Sequence, residues 1–141
     1  MTYAGDVSVL DCWKTLETEP GASLVDVRTV PEWQFVGIPD LSGLGKSAMF
    51  VEWQRYPDMS VNTDFASIVS AKLSETGAGQ ADKVFMLCRS GVRSIAAAKA
   101  LTAHGYTQVF NVLGGFEGDK DQAGHRATLA GWKFDDCPWS Q

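Results

Sequence analysis

Residues 83–94 read KVFMLCRSGVRS, an almost continuous apolar run that passes directly into a polar, glycine-containing turn. Four apolar residues in succession, Val84–Leu87, are typical of a central strand that is covered on both faces. The residues after the turn, Ile95–His104, are rich in alanine and end at Gly105, which predicts a helix with a glycine beyond its carboxyl end. A buried strand, a tight turn and a helix in immediate succession indicate the repeating unit of a parallel sheet.

Elsewhere, apolar residues at helical spacing predict two further helices, Val9–Glu17 and Phe65–Leu73. Short apolar, β-rich runs predict three more strands: Ser23–Val27, Ala48–Glu52 and Val109–Val112. A loop is expected at Gly37–Gly45, and the aromatic tail Trp132–Gln141 is expected to pack against the body of the protein. We therefore predict an α/β fold with a mainly parallel central sheet flanked by helices on both faces. In such sheets the chemistry takes place at the carboxyl ends of the strands, where Cys88 lies.

The composition limits the classes of function. With 141 residues the chain has room for one domain, and we expect a single domain over residues 1–141. The formal net charge of −5 speaks against nucleic-acid binding, and no apolar run approaches the length of a membrane span. Cys12, Cys88 and Cys137 lie too far apart for CxxC redox chemistry or zinc-ligand spacing, so we expect no metal and no organic cofactor. With no recognisable signal segment, the expected state is a monomer in the reducing cytoplasm.

The surroundings of Cys88 indicate a nucleophile. A cysteine between a buried strand and a helix amino terminus faces inward-pointing backbone N–H groups and the positive end of the helix dipole, which together favour a thiolate. Arg89 and Arg93 add two positive charges, and Gly91 allows the backbone to close around an anion. The alternative is a small buried apolar residue, and we place Cys12 and Cys137 in that class. Polar and cationic neighbours set Cys88 apart from both.

Three motifs resemble those of the rhodanese family. Cys88–Ser94, read as CRSGVRS, resembles its active-site loop, and Leu24–Arg28, followed by Glu32-Trp33, resembles its earlier D-V-R motif. Asn111–Gly115, read as NVLGG, resembles its later glycine-containing motif. The three occur in the family's order and span most of the chain. One stretch departs from the pattern: Val36–Leu41 reads VGIPDL where many members have G-H-I-P-G-A.

The resemblance implies a rhodanese-like fold and a sulfurtransferase activity. The Cys88 thiolate would take the outer sulfur of a small anionic donor such as thiosulfate, and the resulting persulfide would pass that sulfur to cyanide, a thiol or a protein. The backbone of the active-site loop would hold the sulfur, and its two arginines would attract the donor. The residues implied in substrate binding are Arg89, Ser90, Gly91, Val92, Arg93 and Ser94.

Asp26 and Arg28 follow a strand parallel to that of Cys88, so we expect them to meet the active-site loop at the rim. Asp26 would orient the loop by bonding an arginine or a backbone N–H group. The equally weighted alternative is a turn-capping aspartate and a surface arginine. Gly114-Gly115 is interpreted as a turn that needs unusual backbone angles.

Other functions remain open at this point. Cysteine phosphatases and arsenate reductases also hold an oxyanion below a thiolate, but their loops resemble cysteine, five residues and arginine, whereas four residues separate Cys88 from Arg93. A non-catalytic rhodanese-like interaction module is the second alternative, and the presence of Cys88 and both arginines speaks against it. A third is a redox cycle in which Cys12 or Cys137 resolves Cys88, which no spacing in the sequence supports.

Overall fold

The structure, a computed structural model, describes residues 2–141. Within this range, four α-helices, α1 to α4, span Val9–Thr18, Val30–Phe35, Phe65–Glu75 and Arg93–Ala103. The described residues also form nine short strands, β1 to β9, which span Gly5–Val7, Ser23–Asp26, Ile38–Pro39, Met49–Phe50, Gln54–Arg55, Ser60–Val61, Val84–Leu87, Val109–Val112 and Trp139–Ser140. A 3₁₀ turn covers Ser42–Leu44.

The central sheet has five strands in the order β1-β8-β7-β2-β4, and every pairing in it is parallel. Strand β7 lies in the middle with all four residues buried, as its continuous apolar sequence predicts. Asp26 at the end of β2 is in register with Leu87 at the end of β7. Because parallel strands end at the same edge, the residues after β2 and β7 meet there.

Side-chain alternation along the strands divides the core into two halves. Val84 and Met86 of β7 join a cluster with helices α3 and α4, whereas Phe85 and Leu87 join a cluster with helix α1. The second cluster also contains Trp132, which is fully buried. Helices therefore cover both faces of a parallel sheet, as predicted.

Helix α2 was not predicted from the sequence, which only suggested a polar, proline-containing segment there. Thr29 caps the amino end of this helix, and Pro31 lies in its first turn. The side chain of Glu32 accepts a hydrogen bond from the backbone N–H of Thr29 at 3.2 Å. None of its residues is buried. Six residues without a buried face give no periodic signal, which is why the sequence pattern misses it.

The tail and the segment before β4 pack against each other. Strand β9 pairs antiparallel with β3, and the indole Nε1 of Trp132 donates to the carbonyl of Pro138 at 2.7 Å. The predicted packing of the tail is therefore correct, although the loop predicted at 37–45 contains β3 and the 3₁₀ turn. The hairpin formed by β5 and β6 was also not predicted. No helix among residues 2–141 is long and apolar enough to cross a membrane.

Candidate active site

Cys88 immediately follows β7 at the carboxyl edge of the sheet and lines a cavity of about 390 Å³. The residue itself is only 1% exposed, so the cavity is the route by which a reagent reaches its sulfur. The wall of this cavity is formed by Glu32, Met59, Arg89, Ser90, Val92 and Arg93. Four of the six residues implied in substrate binding therefore contact the same space as the sulfur. Gly91 and Ser94 are buried beneath it.

Two groups of the active-site loop approach the sulfur directly. The backbone N–H of Gly91 donates to Sγ of Cys88 at 3.1 Å, and Oγ of Ser94 lies 3.1 Å from the same atom. Gly91 has a φ of 97°, an angle that glycine tolerates and other residues rarely adopt. The turn thus depends on this glycine to point an N–H group at the sulfur.

The loop after β8 supports the Cys88 loop from below. The N–H groups of Phe116 and Glu117 donate to the carbonyls of Cys88 and Arg89 at 2.8 and 2.9 Å. Gly115 has a φ of 61°, and a Cβ placed there would lie 2.5 Å from the carbonyl oxygen of Cys88. The interpretation of Gly114-Gly115 as a turn is correct, and Gly115 is needed for a second reason, the close contact between two backbones. The sequence contains no signal for that contact.

Arg93 is already paired. Its guanidinium makes two hydrogen bonds to the carboxylate of Glu32, at 2.8 and 2.9 Å, and both side chains are 19% exposed. Burial lowers the pKa of Arg93, but the hydrogen bonds and charge of Glu32 outweigh it and raise that pKa above its usual value. Burial raises the pKa of Glu32, but the hydrogen bonds from Arg93 and Thr29 and the charge of Arg93 outweigh it, so that this pKa lies below its usual value. Both groups are therefore ionised at neutral pH.

Arg89 is different. Its side chain is exposed at the mouth of the cavity, and no carboxylate among residues 2–141 forms an ion pair with it. With Glu32 offsetting Arg93, Arg89 supplies the net positive charge of the cavity wall. Local sequence pattern does not distinguish the two arginines, because Glu32 lies 61 residues away from Arg93.

Asp26 and Arg28 lie in the interior rather than at the rim. Both side chains are fully buried, with the Arg28 guanidinium 2.7 Å from the Asp26 carboxylate. Arg28 also donates to the carbonyl of Gly37 at 2.8 Å and stacks over the ring of Phe116 at 4.2 Å. The alternative of a surface arginine is therefore wrong. Asp26 does bond an arginine, but that arginine is its neighbour Arg28 and not one in the active-site loop.

Cys12 and Cys137 lie on the opposite face of the sheet from Cys88. They belong to the cluster around helix α1, whereas Cys88 belongs to the cluster around α3 and α4. Burial and the nearby Cys137 raise the pKa of Cys12 well above its usual value; burial, Asp135 and Asp136 raise that of Cys137 to about 11. The structure thus gives no support to a resolving role for either one.

Two polar residues of this region were not predicted to belong to the site. Asn111 at strand β8 is fully buried and accepts a hydrogen bond from Ser94, and it donates to Asp6 of β1 at 2.9 Å. An asparagine in a strand is unusual, which is the signal that could have drawn attention to it. Among residues 2–141, no group of three or more His, Cys, Asp or Glu side chains is arranged to hold a metal ion.

The profile of the family described as "Rhodanese-like domain" matches residues 8–122. The chain belongs to the rhodanese-like family. The match covers the active-site loop and the two other motifs of this rhodanese-like protein. A relative in Rickettsia conorii, the uncharacterized protein RC0915, is 40% identical over 124 residues, which are 88% of this chain and 87% of that one.

Solved structures place this rhodanese-like protein in the same fold. The crystal structure of Rv0390 from M. tuberculosis superposes with a TM-score of 0.86 at 45% identity and covers 99% of both chains. The polysulfide-sulfur transferase homodimer from Wolinella succinogenes superposes with a TM-score of 0.52 at 22% identity, over 80% of this chain and 69% of that one. The second match shows similarity of fold alone.

Proposed function

We propose that this protein is a sulfurtransferase that takes a sulfane sulfur from thiosulfate or a similar anionic donor and carries it as a persulfide on Cys88. The observation that carries the proposal is the position of Sγ, which lines a charged cavity and accepts an N–H from the loop that surrounds it. An N–H group that donates a hydrogen bond to the sulfur stabilises negative charge on it in both the thiolate and the transition state. The chain's own cysteine is the carrier, so the proposal includes no cofactor.

The proposed cycle has two displacements. The Cys88 thiolate attacks the outer sulfur of thiosulfate, a new S–S bond forms, and the old one breaks with its electron pair leaving on sulfite. An acceptor nucleophile, which is cyanide, a thiol or a protein thiolate, then attacks the outer sulfur of the persulfide. The Cys88 thiolate departs and is ready for another donor. No net oxidation or reduction of the protein occurs over the cycle.

The two arginines have separate roles in this proposal. Arg89, exposed and without a carboxylate partner, attracts the anionic donor and stabilises the departing sulfite. Arg93 offsets Glu32 and holds helix α2 against the active-site loop. The expectation that Arg93 captures the donor is therefore replaced by an indirect role, in which it keeps the Glu32 carboxylate from repelling that donor.

A phosphatase function is disfavoured by the length of the active-site loop. Four residues separate Cys88 from Arg93, whereas the loops of cysteine phosphatases resemble cysteine, five residues and arginine, and the guanidinium of Arg93 is already paired with Glu32. A purely non-catalytic module would not need Cys88 to face the cavity. The name of the Wolinella succinogenes neighbour, a polysulfide-sulfur transferase, agrees with sulfur chemistry on this fold. Three free cysteines are consistent with the proposed cytoplasmic, reducing environment.

Intact-mass spectrometry before and after thiosulfate treatment tests the proposal. The wild type should gain the mass of one sulfur atom, and cyanide should remove it with release of thiocyanate. Cys88→Ser should gain nothing, because an alkoxide does not form near neutral pH, whereas Cys137→Ser should load like the wild type. A wild type that stays unloaded while Cys88 is reduced and reacts with iodoacetamide would refute thiosulfate as the donor. If other sulfane-sulfur donors also fail to load Cys88, the result favours a non-catalytic interaction module over a sulfurtransferase.

A further inference from the structure

A chain of hydrogen bonds runs from the buried sulfur of Cys88 to Asp6 on the first strand. Sγ of Cys88 lies 3.1 Å from Oγ of Ser94, and that oxygen is hydrogen-bonded to Oδ1 of Asn111. The amide nitrogen of Asn111 then donates to the carboxylate of Asp6 at 2.9 Å. Cys88, Ser94 and Asn111 are buried, so the inner part of the chain lies in the protein interior, whereas Asp6 at its end is exposed.

The orientation of the Asn111 amide follows from its partners. Its nitrogen faces the Asp6 carboxylate and the carbonyl oxygen of Gly91, at 2.9 and 3.3 Å. Both of these oxygens only accept hydrogen bonds, so the NH₂ group must lie on their side and the amide oxygen on the side of Ser94. The amide oxygen also only accepts. The hydroxyl of Ser94 therefore donates its proton to Asn111.

The hydroxyl of Ser94 has one proton, and the hydrogen bond to Asn111 already uses it. Towards Sγ, Ser94 can offer only a lone pair, which accepts the S–H of a neutral Cys88 thiol. If Cys88 ionises, that lone pair faces a negative sulfur. The N–H of Gly91 is then the one hydrogen-bond donor among the described residues that reaches the sulfur, while the charge of Arg93 also acts on it. In the persulfide the inner sulfur is neutral and the charge lies on the outer sulfur, one bond further out. The chain thus suits the thiol and the loaded state better than the unloaded thiolate.

We propose that Asn111 is a positioning residue that holds the Ser94 proton away from Cys88 and thereby leaves the Cys88 thiolate with one hydrogen bond fewer. The inference rests on the proposed function in taking Cys88 as the nucleophile, and it adds a reason for sulfur uptake. A thiolate with less hydrogen-bond stabilisation is a stronger nucleophile, and loading with sulfur relieves the unfavourable contact with Ser94. Asp6 acts one step further away by holding the amide in this orientation.

The test is the pH dependence of Cys88 alkylation by iodoacetamide, followed on the Cys88 peptide by mass spectrometry. Asn111→Ala frees the Ser94 proton to turn to the thiolate, so the rising limb of the profile should move to lower pH by about one unit. That shift is about tenfold in rate on the limb, as expected for one hydrogen bond to a charged group. An unchanged profile, or a shift to higher pH, would overturn the inference.

A second substitution shows whether Asn111 acts through Ser94. In a Ser94→Ala background, Asn111→Ala should have no further effect on the profile; an equal shift there would mean that loosening of the loop causes it, and the inference would fail. If Asn111→Ala does not fold, Asn111→Val, which suits a strand, replaces it and should shift the profile in the same direction, because valine also leaves the Ser94 proton without its acceptor. Tyr3→Phe, which removes only the 2.9 Å bond from Tyr3 to Asp6, is the matched control and should leave the profile unchanged.

This experiment uses no sulfur donor, so its outcome is separate from that of the mass measurement. A protein that never loads sulfur can still show the alkylation shift. A protein that loads sulfur normally but shows no shift on Asn111→Ala refutes the role of Asn111 alone.

Discussion

The ion pair between Glu32 and Arg93 sets the charge of the cavity wall. Both partners line the cavity and are only 19% exposed, so their charges are screened less than those of surface pairs. With the pair intact, Arg89 is the remaining cation of the wall. The selection of anions that enter the cavity therefore depends on the side chains of Glu32, Arg89 and Arg93.

The first prediction separates these three side chains by the KM for thiosulfate. Arg93→Ala leaves the Glu32 carboxylate uncompensated and should raise KM about tenfold or more, since a lost charge-assisted hydrogen bond is about 1.5–3 kcal/mol. Removing the carboxylate as well, in Glu32→Gln/Arg93→Ala, should restore part of the loss. Arg89→Ala should also raise KM, and the difference from wild type should shrink as salt is added. Steady-state kinetics would contradict this assignment if the double variant were worse than Arg93→Ala.

The second prediction concerns acid stability. The folded protein lowers the pKa of Glu32 below its ordinary value of 4.5, so ionised Glu32 favours the folded state. Its contribution is complete above the ordinary value and is lost as the pH falls through the lowered folded value. The difference in unfolding free energy between wild type and Glu32→Gln should therefore be present at pH 6 and shrink below about pH 4. Urea unfolding at both pH values measures it; a difference that grew on acidification would contradict the assignment.

At the scale of elements, the loop after β8 acts as the floor of the active-site loop. Its closest approach is at Gly115, where a Cβ would meet the carbonyl of Cys88 at 2.5 Å and atoms of Arg89 at 2.7 Å. All of these are backbone atoms, which cannot move aside as a flexible side chain would. Any residue larger than glycine at this position must displace the Cys88 loop.

The third prediction compares two glycines with similar backbone angles. Gly115→Ala should lose about 2 kcal/mol or more of stability and most of the sulfur loading, because it adds a clash to the cost of a positive φ. Gly124→Ala, at a φ of 80° with nothing within 4 Å of the added Cβ, should cost only about 1 kcal/mol and leave loading intact. Thermal unfolding and the mass assay measure the two effects. Equal losses in both variants would show that φ alone is responsible.

The elements that the sequence predicted correctly are those with a continuous apolar run, a regular apolar spacing or an alanine-rich composition. Strand β7 and helix α4 follow from the run at 83–87 and the alanine-rich segment after it, and strand β8 was predicted with its observed bounds. Helix α2 and the hairpin at 54–61 lack a buried face or any alternation, so local pattern could not reveal them. The apolar run beside a polar turn also located Cys88. By contrast, the pairing of Arg93 with Glu32 and the link from Ser94 to Asn111 join residues 61 and 17 positions apart, which no local pattern encodes.

At the scale of the whole molecule, the sheet separates the three cysteines into two environments. Cys88 lines the cavity on one side, while Cys12 and Cys137 are buried on the other with raised pKa values. Thiols that are both buried and protonated react slowly. We therefore expect Cys88 to be the one reactive cysteine of the native protein.

The fourth prediction follows from this separation. A small alkylating reagent at pH 8 should modify Cys88 in the folded protein and leave Cys12 and Cys137 unmodified until denaturant is added. Peptide mass spectrometry after a short pulse distinguishes the three sites. Rapid native labelling of Cys137, whose pKa is raised to about 11, would show that the tail opens and would contradict its packing against the body.

Strand β1 forms one edge of the sheet and contains only three residues, whereas β7 lies in the middle. Edge strands of this length fray at little cost in free energy, while central strands open only when the whole domain unfolds. In amide hydrogen exchange, β7 should therefore be among the slowest elements and β1 among the fastest. The sulfur of Cys88 is anchored to the central strand, but its hydrogen-bond chain ends at Asp6 on an edge strand, which we expect to open many times before the protein unfolds once. We therefore expect the hydrogen bonds around the thiol to break and re-form on the timescale of local fluctuations, while the position of the sulfur stays fixed.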